Sequence, residues 1–377
     1  MVEKIRNIAA GALLIAGIVS CGAANKVTGK VVKPSQKRTV ETQNLLKNLQ
    51  NISEKGFMFG HQDDTAYGIG WDGDLNRSDV KSVCGDYPAV CGWDLGHIEL
   101  GDDKNLDKIP FDRIRKDIVA QYLRGGLNTV SWHLNNPLTG GDAWDVKTDG
   151  VVKSILPGGV KHEQFLSWLD KLATFFKSLK TADGKKIPVL FRPWHEHTGS
   201  WFWWGKSHCT PQEYKDLWKM THDYLTSHGV NNLLYAYSPG SEKTVDEYME
   251  RYPGDDYVDL LGFDCYPSTK PEGTEEYKTL MNTVLTNLTK LGKEHHKVIA
   301  VSETGLEALP MANWWMDVLF PIVDKYPISY VLVWRNARER QNHYYAPYPG
   351  QVSANNFVEF YNQPKTIFCK DLKNLYK

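Results

Sequence analysis

The chain contains the stretch Val298-Ile299-Ala300-Val301-Ser302-Glu303-Thr304-Gly305, in which an apolar run leads directly into a serine and a glutamate. A short apolar run that is rich in β-branched residues is typical of a strand buried on both faces, as in a parallel sheet. In barrels of parallel strands the chemistry lies at the carboxyl ends of the strands. The stretch therefore predicts a buried strand that delivers Glu303 to a functional site.

Seven other short runs of apolar or β-branched residues occur along the chain, at 57–60, 89–94, 128–133, 188–191, 233–237, 258–264 and 330–334. Amphipathic stretches with apolar residues at three- and four-residue spacing lie between them, at 111–124, 162–179, 211–227, 275–293 and 312–325. Strands that alternate with helices predict parallel βαβ units, and eight strands in 377 residues favour a closed (β/α)8 TIM barrel of the α/β class. A doubly wound open sheet is the alternative, but no GxGxxG turn follows an early strand.

The charge balance excludes one class of partner. The chain has 44 basic and 45 acidic side chains, for a formal net charge of −1. A nucleic-acid-binding protein would show a strongly basic balance, so we predict no nucleic-acid partner. Aromatic residues make up 12% of the chain and include 13 tryptophans, which is more than we expect of a core alone. Flat aromatic rings are also the surfaces on which sugar rings stack.

The N-terminal segment has the order of a secretory signal. Lys4 and Arg6 precede an apolar run over 8–19, which is shorter than the roughly 20 residues that span a bilayer. The run ends at Ser20-Cys21, as in a bacterial lipobox, so we predict a lipoprotein signal peptide over 1–20 and lipidation of Cys21. A plain signal peptide with an incidental cysteine is the alternative. Residues 22–40 contain no acidic side chain and no apolar period, so 21–40 is predicted to be a flexible tether and 41–377 a single catalytic domain.

The composition of the tether and the number of cysteines indicate the cellular compartment of the protein. No acidic run follows Cys21, which favours an anchor that faces the periplasm. We therefore predict a monomeric cell-envelope lipoprotein that touches the membrane only through its lipid. Five further cysteines, an odd number, leave at least one free thiol in an oxidising compartment. They form no CxxC pair and no Cys/His cluster, so we predict no structural zinc and no cofactor.

Polar side chains follow several of the predicted strands. Asp94 ends the second strand, and Ser131 and His133 share one face of the third because side chains alternate along a strand. Asp264 and Tyr266 share one face at the end of the sixth. A polar face on a buried strand is expected where the strand reaches the mouth of a barrel.

Two of the predicted strands end in a glutamate. The fourth leads into Arg192-Pro193-Trp194-His195-Glu196-His197, and the seventh leads into Ser302-Glu303. Buried carboxylates are costly unless they are paired or used in chemistry. Two glutamates across one cleft are what retaining glycoside hydrolysis requires, one as a neutral proton donor and one as an ionised nucleophile about 5–5.5 Å away.

Other interpretations exist for the residues that follow the fourth strand. His195-Glu196-His197 lacks the HExxH spacing of a metal site, and in a strand the two histidines would share a face while Glu196 turns away. We therefore predict no metal site there. The run Trp201-Phe202-Trp203-Trp204 is compatible with a core, but consecutive large aromatic residues cannot all face inward on a regular element. Some of them are expected at a binding surface.

The stretch from Arg192 to Gly205 resembles the signature of glycoside hydrolase family 26, whose best-known members are endo-β-1,4-mannanases. Shorter stretches resemble the strand-end motifs of the same family, in the family's order: Ser131-Trp132-His133, Phe263-Asp264-x-Tyr266, Ser302-Glu303-x-Gly305 and Val333-Trp334-Arg335-Asn336. The resemblance implies a (β/α)8 barrel that cleaves β-1,4-mannosidic linkages in mannan, galactomannan or manno-oligosaccharides with net retention.

The resemblance also implies catalytic roles for two residues. Glu196 is the expected acid/base and Glu303 the expected nucleophile of a double displacement. The neighbouring aromatic side chains should raise the pKa of Glu196, so that it can donate a proton near neutral pH. Tyr266 and Arg335 are expected within reach of Glu303.

The remaining implied residues bind sugar. His195 is expected to bind the sugar in the reacting subsite, with His133, Asp264 and Arg335 beside it. Trp334 is the expected stacking floor of that subsite, and Trp201 is the expected platform on the leaving-group side.

Three functions remain open. The leading hypothesis is a retaining β-mannanase. A β-1,3-xylanase or mixed-linkage β-glucanase is the second, because related specificities occur on similar scaffolds. A non-catalytic glycan-binding lipoprotein is the third, and the two intact glutamates disfavour it. Long loops over 63–76 and 134–159 are expected to wall the cleft, and closure of one end would favour cleavage from chain ends.

Overall fold

Eight parallel strands close into a barrel in the computed structural model, which describes residues 37–268 and 273–377. The strands are β1 (Phe57–Gln62), β2 (Val90–Asp94), β3 (Leu127–Ser131), β4 (Val189–Arg192), β5 (Leu233–Tyr237), β6 (Leu260–Leu261), β7 (Val298–Thr304) and β8 (Ile328–Val333). The barrel closes where β1 pairs in parallel with β8, with Met58 opposite Tyr330. Each strand corresponds to one of the eight runs in the sequence, so the predicted (β/α)8 barrel is confirmed.

Helices surround the barrel. The α-helices of the described residues are Val40–Ser53, Asp79–Cys84, Phe111–Leu123, Val151–Ile155, His162–Ser178, Pro211–Ser227, Val245–Met249, Gly273–Glu294, Phe320–Val323 and Ala354–Tyr361. The predicted helix over 312–325 is a π-helical turn, Trp315–Leu319, that continues into Phe320–Val323. Pro321 explains the irregularity, because proline lacks the N–H that a regular helix needs. Within residues 37–268 and 273–377, no helix has both the length and the apolar character needed to cross a bilayer.

The first helix, Val40–Ser53, is missing from the sequence-based prediction. It buries Leu45 and Leu49 in the same cluster as the residues of the barrel interior. Just before it, Arg38 donates both terminal nitrogens to Asp259, at 2.6 and 2.8 Å. The end of the predicted tether, residues 37–40, therefore belongs to the folded unit, and the predicted boundary at residue 41 is too late. The predicted signal peptide, Cys21 and the rest of the tether lie outside the described residues.

Side chains of the strands alternate between the barrel interior and the helix layer. Met58 of β1 packs in one apolar cluster with Leu190 of β4 and Leu332 of β8. Its neighbour Phe59 belongs to the other cluster, where its ring packs edge-on against Phe357 with the centroids 5.1 Å apart. The interior is therefore apolar below the mouth, and the polar side chains of the strands gather at the carboxyl ends.

A β-bulge interrupts β7 where it reaches the mouth. Between Val301 and Thr304, β7 has one residue more than the paired stretch of β8. Bulges of this kind redirect a side chain next to a functional site. As a result, both Ser302 and Glu303 reach the polar cluster at the mouth, where a regular strand would have turned one of them toward the helices.

The described cysteines form no disulfide. Cys84 is half-buried, and the others, Cys91, Cys209, Cys265 and Cys369, are buried. The prediction that at least one thiol stays free is confirmed.

Candidate active site

Three carboxylates meet at the mouth of the barrel. Glu196 follows β4, Asp264 follows β6, and Glu303 lies in the bulge of β7. One carboxylate oxygen of each lies within 4.8 Å of an oxygen of the other two. The two predicted glutamates therefore face each other at a separation close to the roughly 5–5.5 Å of retaining glycosidases.

Both oxygens of Glu303 accept hydrogen bonds. Arg192 donates from Nη2 to Oε1, and the hydroxyl of Tyr266 donates to Oε2 at 2.9 Å. The other terminal nitrogen of Arg192 donates to Asp264 at 2.8 Å. Burial alone would lower the pKa of Arg192, but the two carboxylates raise it. The guanidinium is therefore a permanent cation that binds Glu303 and Asp264 together.

Asp264 is surrounded by donors of the protein itself. Ser238 and Ser302 each donate a hydroxyl to Oδ1 at 2.8 Å, and Arg192 occupies Oδ2. Burial raises the pKa of Asp264 to about 7 with the help of the negative charge of Glu303, while Arg192 opposes this shift. Because both carboxylate oxygens are already bonded, Asp264 is arranged to support Arg192 rather than to bind a sugar hydroxyl.

The chain leaves β4 in a tight turn. Arg192 is the last residue of the strand, and Trp194 and Glu196 have φ angles of 53° and 52°, in the left-handed region. Residues other than glycine rarely adopt this region. The prediction that His195 and His197 share one face of a strand is therefore wrong, because the strand ends before them.

Neighbouring side chains and strands hold this turn. The carbonyl of Trp194 accepts a hydrogen bond from the hydroxyl of Tyr214 at 2.8 Å, and Nδ1 of His197 lies 3.2 Å from the same oxygen. The backbone N–H of Glu196 donates to the carbonyl of Ser238 at 2.8 Å. Left-handed φ angles cost roughly 1–3 kcal/mol each and persist where the surroundings determine them. The strained turn places the carboxylate of Glu196 in the mouth of the barrel.

The half-buried carboxyl of Glu196 accepts one hydrogen bond. Trp201 donates from Nε1 to Oε2 at 2.7 Å. Burial raises the pKa of Glu196 well above its ordinary value, and the charges of Asp264 and Glu303 raise it further. Since Oε2 accepts the indole N–H, Oε1 is left to carry the proton. The raised pKa and the unbonded Oε1 are the features that a proton donor needs.

Only one member of the predicted aromatic run is exposed. Trp201 is 47% exposed, whereas Phe202, Trp203 and Trp204 are buried. The indole of Trp201 lies directly on Gly199, where a Cβ atom would come within 2.3 Å of two ring carbons. The expectation that part of the run is exposed is confirmed, and the exposed ring adjoins Glu196.

His133 and His195 form a hydrogen-bonded pair in the wall of the mouth. Their Nε2 atoms are 3.0 Å apart, and Nδ1 of His133 lies 2.7 Å from Oδ2 of Asp94. Burial lowers the pKa of His195 well below its ordinary value. Burial opposes the charge of His133 as well, but Asp94 raises the pKa of His133. Both residues are buried, His133 at 6% and His195 at 1% exposure, so each can offer only the edge of its ring to a sugar.

Two indoles flank His133. The half-buried ring of Trp334 lies edge-on to His133 with the centroids 6.2 Å apart. Trp144, which is 47% exposed, stacks on the other side at 5.4 Å and 12°. The long loop over 134–159 thus contributes an exposed aromatic ring beside the predicted reacting subsite, as expected of a loop that walls the cleft.

Arg335 does not bind Glu303 in the structure. Its guanidinium donates to the hydroxyl of Tyr67 at 3.2 Å and to Glu339 at 2.8 Å, and it pairs with Asp107 at 3.1 Å. These partners come from the loops after β1, β2 and β8. The expectation that Arg335 reaches Glu303 is wrong, because other carboxylates hold this guanidinium and Arg192 supplies the cation.

The carboxylate triad is also the one group in residues 37–268 and 273–377 with the geometry to ligate a metal ion. Neither His195 nor His197 belongs to it. Arg192 already binds two of the three carboxylates through hydrogen bonds, so the negative charge that would attract a divalent ion is partly balanced.

The sequence does not identify the groups that support the clustered carboxylates. Arg192 belongs to the family-26-like stretch at the end of β4. Because side chains alternate along a strand, the inward-facing Leu190 implies that the side chain of Arg192 also points into the barrel. Ser238 lies one residue beyond β5 and carries no motif of its own. The bulge brings Ser302 to the same cluster. Its position cannot be predicted from the alternation of polar and apolar residues.

The amino-acid sequence is similar to known proteins over most of its length. The sequence model of glycosyl hydrolase family 26 matches residues 32–343. A mannan endo-1,4-β-mannosidase of Bifidobacterium adolescentis is 37% identical over 277 residues, which is 71% of this chain and 27% of that protein. A mannan endo-1,4-β-mannosidase of Bacillus subtilis is 30% identical over 330 residues, which is 83% of this chain and 85% of that protein.

A solved structure is similar as well. The GH26 β-mannanase from Bacteroides ovatus superposes with a TM-score of 0.88 at 57% identity, over 90% of this chain and 98% of that chain. The chain therefore spans about a quarter of the Bifidobacterium protein, but most of the length of the other two relatives.

Proposed function

Because the chain belongs to glycosyl hydrolase family 26, we propose that it is a retaining β-mannanase that cleaves β-1,4-mannosidic linkages in mannan, galactomannan or manno-oligosaccharides. The observation that carries this proposal is the distance of at most 4.8 Å between carboxylate oxygens of Glu196 and Glu303. An inverting enzyme needs roughly 6.5–9.5 Å between its carboxyl groups, to leave room for a water molecule.

In the first step, Glu196 acts as the acid. Its carboxyl group keeps its proton because burial and two nearby carboxylates raise its pKa. It transfers that proton to the glycosidic oxygen as the bond to the sugar breaks. Trp201 holds Oε2, so the proton leaves from Oε1 and the direction of transfer is set.

Glu303 attacks the anomeric carbon in the same step. Arg192 and Tyr266 each bind one of its oxygens, which fixes the carboxylate before the sugar arrives. Such preorganisation means that little rearrangement is needed at the moment of reaction. The product of the step is a covalent glycosyl–enzyme ester on Glu303.

In the second step, Glu196 acts as the base. The ester on Glu303 has no charge, so one of the causes that raise the pKa of Glu196 disappears. The ionised Glu196 takes a proton from water as the water oxygen attacks the anomeric carbon. The bond from that carbon to Glu303 breaks, which restores the carboxylate and releases the sugar with retained configuration.

The other predicted residues take supporting roles in this proposal. Trp334 is the floor of the reacting subsite, with His133 and His195 in its wall, and Trp201 is the platform for the leaving sugar. Asp264 acts through Arg192. Arg335 follows Trp334 in the sequence, is bonded to Tyr67, Asp107 and Glu339, and borders the reacting subsite.

Product analysis tests the substrate. The purified protein is incubated with β-1,4-mannan, β-1,3-xylan and mixed-linkage β-glucan, and the released sugars are identified by chromatography. We expect manno-oligosaccharides from mannan alone. Release from xylan or glucan in its place would favour the second hypothesis, and binding of mannan without any release would favour a glycan-binding lipoprotein.

Two variants test the mechanism. Glu303→Ala should abolish turnover, and added azide should restore it on an activated aryl mannoside by forming the glycosyl azide. Glu196→Ala should retain activity on aryl mannosides with good leaving groups, because these need no acid, and lose it on mannan. Glu307→Ala removes a glutamate just beyond the end of β7, four residues after Glu303, and serves as the control. Equal losses on both substrate types in Glu196→Ala would contradict the assignment.

We further propose that Cys21 is lipidated and that a monomeric enzyme faces the periplasm. The support lies in the sequence alone: Lys4 and Arg6, the apolar run over 8–19 and the Ser20-Cys21 junction. A periplasmic anchor would suit an enzyme that trims imported oligosaccharides. Mass spectrometry of the mature N-terminus should find an acylated Cys21, and Cys21→Ala should release the protein from membranes. Protease accessibility in intact cells distinguishes the periplasmic from the external face, and size-exclusion chromatography with light scattering tests the monomer.

A further inference from the structure

The carboxylate of Asp94 is fully bonded at the end of β2. Its Oδ1 accepts the backbone N–H groups of Gly96 at 2.7 Å and His133 at 3.3 Å. Its Oδ2 accepts the hydroxyl of Ser131 at 2.6 Å and lies 2.7 Å from Nδ1 of His133. Although burial opposes ionisation, these partners lower the pKa of Asp94. Asp94 is therefore an ionised and immobile acceptor, and Nδ1 of His133 must carry a proton.

One more proton lies between the two histidines. Nitrogen atoms 3.0 Å apart are hydrogen-bonded only if one of them carries a hydrogen, so Nε2 of His133 or Nε2 of His195 is the donor. If His133 is charged, it donates. If both rings are neutral, His195 donates.

The charges around the pair decide between these two states. The titratable and charged groups that face His133 are Asp94, Asp107, Glu303 and Arg192, and those that face His195 are Arg192, His133 and His197. His133 thus has three carboxylates and one cation around it, whereas His195 faces an arginine and two other histidines. The surroundings favour a charged His133 that donates to a neutral His195.

The orientation of the His195 ring depends on this bond. Nδ1 of His195 is buried and has no hydrogen-bond partner among the described residues, so the contact with His133 is the hydrogen bond that fixes the ring. His133 in turn lies edge-on to Trp334, the floor of the proposed reacting subsite. A substitution of Asp94 would therefore change the orientation of the His133 and His195 rings, and through them the subsite that binds the sugar.

We propose that Asp94 is a positioning residue of the reacting subsite: it binds the Nδ1 proton of His133, directs the second proton of that ring to Nε2 of His195, and so holds both rings against the sugar. The sugar-binding part of this inference rests on the proposed function. The proton arrangement does not, because it is a property of the protein without substrate.

Nuclear magnetic resonance of the histidine-labelled protein tests the proton arrangement. Long-range ¹H–¹⁵N spectra, assigned with His133→Gln and His195→Gln, report the protonation of each ring nitrogen as the pH changes. Asp94→Asn keeps the shape but removes the charge, so the midpoint of His133 should fall by about one pH unit or more. The Nε2 proton of the pair should then belong to His195 at neutral pH.

Two further variants distinguish an effect on the proton arrangement from a general effect on the fold. Ser131→Ala removes a competing donor from Asp94 and should move the midpoint of His133 upward, opposite to Asp94→Asn. Glu99→Gln is the matched control. Glu99 is another buried carboxylate of this wall, which accepts hydrogen bonds from Trp132 at 3.0 Å and Asn135 at 2.8 Å, on either side of His133. The Glu99→Gln substitution should leave the midpoint of the His133 titration unchanged.

Steady-state kinetics on mannohexaose test the positioning role. Asp94→Asn should raise KM about tenfold and leave kcat within about threefold, because the rings contact the sugar in both the ground and the transition state. An unchanged His133 midpoint in Asp94→Asn, or an equal shift in Glu99→Gln, would overturn the proposal. If the parent protein does not cleave mannan, the proposed function fails, while the spectra still decide the proton arrangement.

Discussion

The guanidinium of Arg192 donates a hydrogen bond to the carboxylate of Glu303 at the centre of the barrel mouth. The two side chains are only 4% and 5% exposed, so water screens their interaction little. The same cation binds Asp264 at 2.8 Å and therefore balances two of the three clustered carboxylates. The charge balance of the mouth depends on this one arginine.

Arg192→Lys should reduce kcat/KM on mannan on the order of 10²–10³-fold, because a lysine is a point charge and cannot bind two carboxylates through a planar fork. Arg113→Lys is the control. Arg113 donates to Asp117 at 2.8 Å and to a loop carbonyl, without contact to the triad, and its replacement should change kcat/KM less than about threefold. A loss below tenfold in Arg192→Lys would contradict the role of this cation.

Trp201→Phe should move the basic limb of kcat to higher pH. The indole N–H stabilises the ionised form of Glu196, so its loss raises the pKa of Glu196 further, and the acid keeps its proton to a higher pH. A pH profile of kcat should show a shift of about 0.5–1 unit. Trp144→Phe, which changes an exposed indole with no bond to Glu196, should not move this limb. A downward shift in Trp201→Phe would refute the assignment.

Gly199→Ala should displace the indole of Trp201. A methyl group at residue 199 would come within 2.3 Å of the ring of Trp201, so the ring has to move away. We expect kcat/KM on long manno-oligosaccharides to fall about tenfold, as a leaving-group platform and a hydrogen bond to the acid are lost. Gly240→Ala is the control, since its Cβ would meet only the Thr198 hydroxyl at 3.1 Å. Equal effects of the two substitutions would argue against the platform.

Glu196→Gln should stabilise the protein, and more so at pH 8 than at pH 4. The pKa of Glu196 is raised in the folded state above its ordinary 4.5, so folding takes up a proton at any pH between the two values. The stability of the parent therefore falls as the pH rises above about 4.5, and the neutral amide avoids this loss.

Urea unfolding at the two pH values measures this difference. The variant should gain about 1 kcal/mol or more at pH 8 and little at pH 4. Glu54→Gln, at an exposed side chain just after the first helix, is the control. A gain of the same size at both pH values would mean that packing rather than charge is responsible.

The sequence is most informative where burial imposes a regular pattern. All eight strands follow from apolar runs, because a parallel strand between the barrel interior and a helix layer has no polar face except at its end. Pro211, with Thr210 at the N-cap position, marks the start of a helix correctly. The helix over Val40–Ser53 was missed because it covers the end of the barrel with few apolar side chains.

The two glutamates proposed as catalytic can be identified in the sequence, but the structure around them cannot. Glu303 enters the cleft through a bulge, and Glu196 through a turn with left-handed φ angles. Both features break the alternation from which faces are inferred. The cation of the site was expected from Arg335 but comes from Arg192, because the distance between two loop ends depends on tertiary packing that no local pattern encodes.

The ion pair of Arg38 with Asp259 lies before β6, at the amino ends of the strands, whereas Glu196 and Glu303 lie at the carboxyl ends. Residue 37 therefore enters the folded unit on the side opposite the cleft. A bead coupled to an engineered residue on that side of the barrel would leave the mouth free for polymers far larger than the enzyme.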